Sequence, residues 1–569
     1  MAMVDIKRLI SVAKGDSPAD LILAHAKIVN TLSGDIEEGD VAVCQGVVAG
    51  IGDYRDADRV VDIRGRYIVP GLIDGHIHPE SSMLHIARYA EAVVPRGVSA
   101  IVTDLHEISN VTGLDGARYV IDCAESLPLD LHFMVPSCVP ATHLETAGAE
   151  LTADDIAAAL SWQETIGLGE MMNFPGVLFA DDSVIAKIEA ARGRVIDGHA
   201  PGVSGRDLNA YIACGIGSDH ECTVLAEAEE KLQRGMHIMI REGSSEKNLE
   251  ALLPLVTDKT YSRCMFVVDD RSCADLLRDG DIDAVVRKAI ALGLEPVRAI
   301  QMATINTANY FRLARVGAIA PGYFANMIVT ADLTGLEAEQ VYYHGSMVAE
   351  HGAPLFAPSI LRSEEIAHTM NVKPFTMEAL MMPSSMQGRP VIGVVPDQIV
   401  TKRLDVKARV ENDCVVADVE RDILKLAVVE RHRASGNIGL GLVKGIGLKS
   451  GALASSIAHD SHNIVAVGTN DSDLYAAIKE VERMGGGLAV AAGGDIVASL
   501  PLPVASLLSD RPLQDVVDRF EGLKKAAVGL GAKLGDPFAT LSFLALPVIP
   551  ELRLTDKGLV DVMQFKVLE

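Results

Sequence analysis

A single Trp, an aromatic share of 4% and a shortage of cations mark this 569-residue chain by what it lacks. Lys and Arg number 51 against 77 Asp and Glu, a formal net charge of −26. That deficit excludes a general nucleic-acid binder, because phosphate is repelled and no basic cluster offsets it. The eight cysteines are scattered and form no CxxC pair. This excludes a disulfide framework and points to a reduced, cytoplasmic protein. No apolar run is long enough to cross a bilayer, so no membrane partner is expected. The opening MAMVDIKRLISVAKG reads as a short amphipathic helix, not as a signal peptide. The phosphate loop GxxxxGK[ST] and the zinc signature HExxH are both missing. HxE is met by His78-Pro79-Glu80, but no PCxxC follows, which excludes the zinc nucleobase-deaminase fold. The Gly-rich GNIGLGLVKG at 436–445 has the wrong spacing for a dinucleotide loop. Apolar residues are plentiful at 49%. They imply several large cores or an oligomer interface, and we expect a homo-oligomer, a dimer or higher.

The chain changes rhythm along its length. Residues 1–68 hold the N-terminal helix and short β-rich runs (DLILAHAKIVN, VAVCQGVVAGIG). The same texture returns over 315–360, which suggests one small β-sandwich domain built from both sides. Between them, over 69–314, eight short apolar runs alternate with helical stretches: RYIVPGLIDGH, VSAIVTDLHE, LDLHFMVPS, ETIGLGEMM, GRVIDGHAP, CGIGSDHE, MHIMIREGS and CMFVVDDR. Count and length fit a (β/α)8 TIM barrel. Residues 361–389 read as a linker. Residues 390–569 read as a further α/β (α+β) domain with a probable helix at DLYAAIKEVERMGG and a Gly-rich hairpin at GGGLAVAAGGDIVASL. The fold class expected is therefore α/β.

Chemistry in such a barrel belongs at the C-terminal strand ends. Those ends carry His76 and His78, Asp104 and His106, Ser137, Glu170, His199, His220, Arg241 with Glu242, and Asp269 with Asp270. Alternate residues of a strand point the same way, so His76 and His78 can reach one ion. Any one buried His or Glu is ordinarily a satisfied polar residue. Six metal-type residues gathered at five strand ends are much harder to attribute to chance. His76, His78, Glu170, His199, His220 and Asp269 are the expected ligands, a set that two divalent ions such as Mn, Fe or Zn sharing one bridging carboxylate would use in full. Two close ions can hold a hydroxide at neutral pH, and Asp269 would then move its proton. The other strand-end cysteines, Cys138, Cys264 and Cys273, read as small packing residues. The run His459-Asp460-Ser461-His462 reads as a local hydrogen-bonded turn in preference to a wall of the pocket, since nothing in its spacing brings it to the barrel.

PGLIDGHIHPESSM (70–83) resembles the metal-binding opening of the amidohydrolase superfamily. DLHEISNVTG, PSCVPAT, GLGEMMNFPGV, DGHAPG, LNAYIACGIGSDHE, GMHIMIREGS, QMATINTANYF and, far downstream, HDSHNIVAVG are similar to the adenine deaminase family within it. The resemblance spans nearly the whole chain. It implies hydrolytic deamination of adenine to hypoxanthine and ammonia, with a metal-held hydroxide attacking C6. It also implies a binuclear centre in which Mn or Fe is favoured, and a catalytic set of Asp269, Glu170 and His220. Many amidohydrolases bridge their metals with a carboxylated Lys from strand four. This chain offers Glu170 there instead. Glu80, Ser81, Asp104, His106, Glu107, Arg241, Asp270 and Ser272 are candidates for the pocket or for support of the ligands. The chain departs from the family pattern at Leu105, Val268, Ser272-Cys273 and Asn326, none of them a proposed ligand. Action on another purine or a cyclic amide, and metal binding without catalysis, remain as alternatives.

Overall fold

The computed structural model describes residues 4–396 and 398–568. The expected N-terminal helix runs Ile6–Ala13, with the Asp5 carboxylate accepting the Lys7 and Arg8 N–H groups as its N-cap. Met1 to Met3, also part of that expectation, lie outside the described residues.

The two β-rich flanks do meet. Leu21–Asn30 pairs antiparallel with Asp35–Cys44 and parallel with Tyr67–Pro70. Tyr67–Pro70 in turn pairs antiparallel with Met327–Thr330, so one nine-stranded sheet draws strands from both sides of the barrel. The first apolar run, RYIVPGLIDGH, is not a single strand as its hydrophobicity suggests. Tyr67–Pro70 ends in this sheet, and the chain re-enters a strand only after Gly71, in the barrel. Gly71 has room for no side chain, since a Cβ there would sit 2.6 Å from Ser99 Cβ.

The barrel strands are β1 (Leu72–Asp74), β2 (Val98–Thr103), β3 (Asp130–Val135), β4 (Thr165–Met171), β5 (Val195–Gly198), β6 (Ser218–Asp219), β7 (His237–Arg241) and β8 (Cys264–Val267). β1 to β5 form one parallel sheet and β6 to β8 another. The Gly217 N–H donates to Ile196 O at 2.9 Å across the first seam. Asp269-Asp270 pair in parallel with Ile77-His78 across the second. β2 is buried on both faces, which is why it shows no alternation of apolar and charged residues. Val102, Met134, Val195, Met239, Met265 and Val267 from five strands fill the interior, so the barrel is a packed core rather than a pore.

The C-terminal domain is built on an eight-stranded, mainly antiparallel sheet whose centre is Ile438–Lys444, Ile423–Val429, Ile464–Gly468 and Ala452–Ser455. Asp471–Arg483 is the expected helix, capped by Asn470, and Gly487–Ala492 with Asp495–Pro501 is the expected hairpin. This domain sits over the barrel mouth. The Ser509 N–H donates to Met83 O at 2.7 Å, and Asn463 Nδ2 donates to Thr146 O at 2.8 Å. Among the described residues, no helix is long and apolar enough to cross a membrane.

Candidate active site

Two buried histidines leave β1 on the same side, as their spacing requires. Asp74 holds that segment by accepting the His76 N–H at 3.1 Å and the Val268 N–H at 3.3 Å, which ties β1 to the end of β8. Asp269 follows at φ 65°, a left-handed conformation in which a residue other than glycine is strained. Its carboxylate lies against both imidazoles, with Oδ1 3.1 Å from His76 Nε2 and 3.3 Å from His78 Nε2. Glu170, at the end of β4, completes the group. Its Oε1 lies 3.5 Å from His78 Nε2 and 3.9 Å from His76 Nε2. Its Oε2 faces the other way, 2.6 Å from His199 Nδ1 and 3.2 Å from His220 Nε2.

The six expected ligands are therefore together, and Glu170 stands between two sets. Donor atoms about 3–4 Å apart are the edges of a coordination shell whose arms are about 2.0–2.2 Å. His76 Nε2 is also buried without a hydrogen-bond partner, a lone pair that a cation would take. All six are N or O donors, which suits Mn, Fe or Zn. The residues present thus fit a binuclear divalent centre.

The supporting residues fall into three places. Asp104 stands behind the ligands: its Oδ1 is 3.3 Å from His78 Nδ1 and 3.1 Å from His106 Nδ1. Burial pushes the Asp104 carboxyl up, but His106 and His78 outweigh it and hold it far below the usual range. Its approach depends on Gly169, where a Cβ would lie 2.7 Å from Asp104 Cβ. Arg241 Nη1 is 3.0 Å from Asp269 Oδ2 and also pairs with Glu221. Burial raises the Asp269 carboxyl, and Arg241 with the two histidines more than reverses that, leaving it well below the ordinary value.

Glu80, Ser81, Glu107, Asp270 and Ser272 line a cavity of about 130 Å³ between the barrel mouth and the C-terminal domain. Ser81 donates to Asp270, and burial pushes the Glu80 carboxyl up to about 7. Ser272 is the N-cap of the helix Cys273–Arg278, whereas Cys273 is buried and is not part of the cavity wall.

The run at 459–462 departs from its sequence reading. His459 Nδ1 is 2.7 Å from Glu107 Oε1, and His462 Nε2 pairs with Glu107 Oε2. The local turn exists as well, since the Ala458 N–H donates to His462 Nδ1 at 3.3 Å, but the run reaches the barrel. The His462–Glu107 contact spans 355 residues of chain, and no local pattern encodes either contact. Glu221 is a second residue that sequence reasoning passed over. Its Oε1 lies 3.5 Å from His220 Nε2 and 3.8 Å from His199 Nδ1. Its place directly after His220 was the available signal.

Comparison with known proteins agrees with this geometry. Residues 67–352 match the amidohydrolase family, and residues 398–566 match the adenine deaminase C-terminal domain. The chain is 61% identical over 564 residues to an adenine deaminase of Dehalococcoides mccartyi, covering 99% of each chain. It is 48% identical over 567 residues to adenine deaminase 2 of Carboxydothermus hydrogenoformans, covering 100% of this chain and 99% of that one. With an adenine deaminase of Methanothrix thermoacetophila it shares 48% identity over 563 residues, covering 98% of each. An amidohydrolase barrel with its strand-end donors intact, capped by the matching C-terminal domain, places this chain in the adenine deaminase family.

Proposed function

We propose that the protein hydrolyses adenine at C6, giving hypoxanthine and ammonia. The observation that carries this reading is the convergence of His76, His78, Glu170, His199, His220 and Asp269 at the mouth of the barrel, beside a cavity. When bound there, two divalent ions, with Mn or Fe favoured over Zn, would acidify the attacking water and polarise the electrophile.

The chain's own residues do the rest. Asp269, kept ionised by Arg241, is placed to take a proton from the attacking water and to return it to the purine as the C6–N6 bond breaks. The water supplies the new C6 oxygen, and the amine leaves as ammonia once it is protonated. Glu170 holds both histidine pairs in register through its two oxygens. The C-terminal domain forms one wall of the cavity and so takes water from that side of the bound base. The reaction implies a setting in adenine catabolism or purine salvage in the cytoplasm. The hydrophobic content implies a homo-oligomer.

The test is direct: load the purified protein with Mn, then follow adenine loss and ammonia release. The expected result is stoichiometric ammonia from adenine. No ammonia from any common purine with metal-loaded protein would overturn the reading.

A further inference from the structure

The cavity beside the ligands has two unlike halves. The barrel supplies carboxylates and hydroxyls: Glu80, Ser81, Glu107 and Asp270. The C-terminal domain supplies mostly apolar groups, including Phe543, Phe538 and Ile457, together with two imidazoles, His459 and His462, and the polar Ser455, Asp536 and Ser542. The cavity, about 130 Å³, is several times the roughly 30 Å³ share of one liquid water. That is enough room for a single flat heterocycle.

His459 is held on two sides. Its ring stacks on Phe543, with centroids 4.8 Å apart and planes 18° off parallel. Its Nδ1 is committed to Glu107 Oε1 at 2.7 Å, and a carboxylate can only accept, so the proton sits on Nδ1. The other oxygen of Glu107 is taken by His462, whose tautomer is fixed by the Ala458 N–H donated to its Nδ1. Glu107 therefore has no freedom to release His459. Nε2 is the ring nitrogen left for a ligand. Glu107 also overcomes burial and lifts the His459 imidazole to about 9, which makes Nε2–H a donor near neutral pH. Glu80, another lining residue, has its Oε2 buried with no partner. The ion-paired imidazole and this unpartnered carboxyl line one cavity, and together they offer polar partners to a ring that carries both lone-pair nitrogens and N–H groups.

We infer that His459, carried by the C-terminal domain and backed by Phe543, is a substrate-recognition residue that donates to a ring nitrogen of the purine. The inference rests on the reading of adenine as substrate, and it adds that the second domain makes contact with the base. Stacking and the Glu107 bond order the imidazole before the substrate arrives, so little freedom is lost on binding.

The test uses the metal-loaded full-length protein and the variants His459→Ala, His459→Gln and Phe543→Leu. Metal content, kcat and KM for adenine are measured for each. The inhibition constants of 1-, 3- and 7-deazaadenine are measured for wild type and for His459→Ala. The expected result for His459→Ala is unchanged metal content and a KM raised about tenfold or more, the size of one lost hydrogen bond to a charged donor. His459→Gln, which keeps an N–H in reach, recovers most of that loss. Phe543→Leu raises KM severalfold and covers the case in which the His459 variants do not fold. One deazaadenine binds wild type about tenfold more weakly than the other two, and His459→Ala no longer tells them apart. Wild type that releases no ammonia from adenine overturns the functional reading and this inference with it. Active wild type with unchanged KM in the variants, or equal discrimination among the deazaadenines in His459→Ala, overturns the inference alone.

Discussion

Glu107→Gln keeps the shape of the residue that joins the two domains and removes its charge. In the native protein burial opposes a charge on His459, but Glu107 outweighs it and raises the imidazole from 6.5 to about 9. That displacement is worth about 3 kcal/mol of stability for a buried group. An imidazole raised on folding contributes fully below its unfolded value of 6.5, and the contribution disappears as pH rises through about 9. Glu107 is depressed well below 4.5, so its own contribution is present above 4.5 and fails only in stronger acid. Wild type should therefore exceed Glu107→Gln by about 3 kcal/mol or more near pH 6, and the gap should narrow steadily toward pH 10. The glutamine can still accept from His462 and donate to a neutral His459, so a small residue of the pairing survives at high pH. Urea denaturation at pH 6, 7, 8, 9 and 10, followed by circular dichroism, reads the gap directly. A gap that does not change between pH 6.5 and 9.5, or one below about 0.5 kcal/mol at pH 6.5, would refute the account of Glu107 as a charged clamp.

Other outcomes follow from the same geometry. Asp269→Asn preserves size and a ligating oxygen but cannot take a proton, so kcat should fall about 10²–10⁴-fold with metal still bound. A near-normal rate in that variant removes Asp269 from the chemistry. Glu170→Gln weakens the one group shared by both histidine pairs, so metal analysis should find about one ion per chain in place of about two, and retention of two ions would show that Glu170 does not bridge.

The barrel and its ligands were legible because parallel strands buried on both faces print as unbroken apolar runs, and because function concentrates at their ends. Glu170, His199 and His220 could be found one strand at a time. Three things could not be read this way. The break at Pro70–Gly71 is hidden, since the same apolar run serves two sheets and hydrophobicity does not say where one ends. His106 and Glu107 look like strand-end residues, yet they open the helix His106–Thr112. The docking of His459 and His462 on Glu107 is a contact between distant segments, and no period of two or 3.6 residues reports it. Sequence spacing favoured the local turn at 459–462 because the turn is the only part of that arrangement written locally.

The nine-stranded sheet has a consequence for synthesis. Tyr67–Pro70 leaves the ribosome with its final partner, Met327–Thr330, still unmade. Roughly 250 residues must follow, which at ordinary elongation rates takes on the order of 10–50 s. Throughout that interval the nascent chain carries an open apolar edge that must wait for the barrel to be completed. Closing this sheet is therefore an assembly checkpoint: its last strands can add only after the whole catalytic barrel has been made.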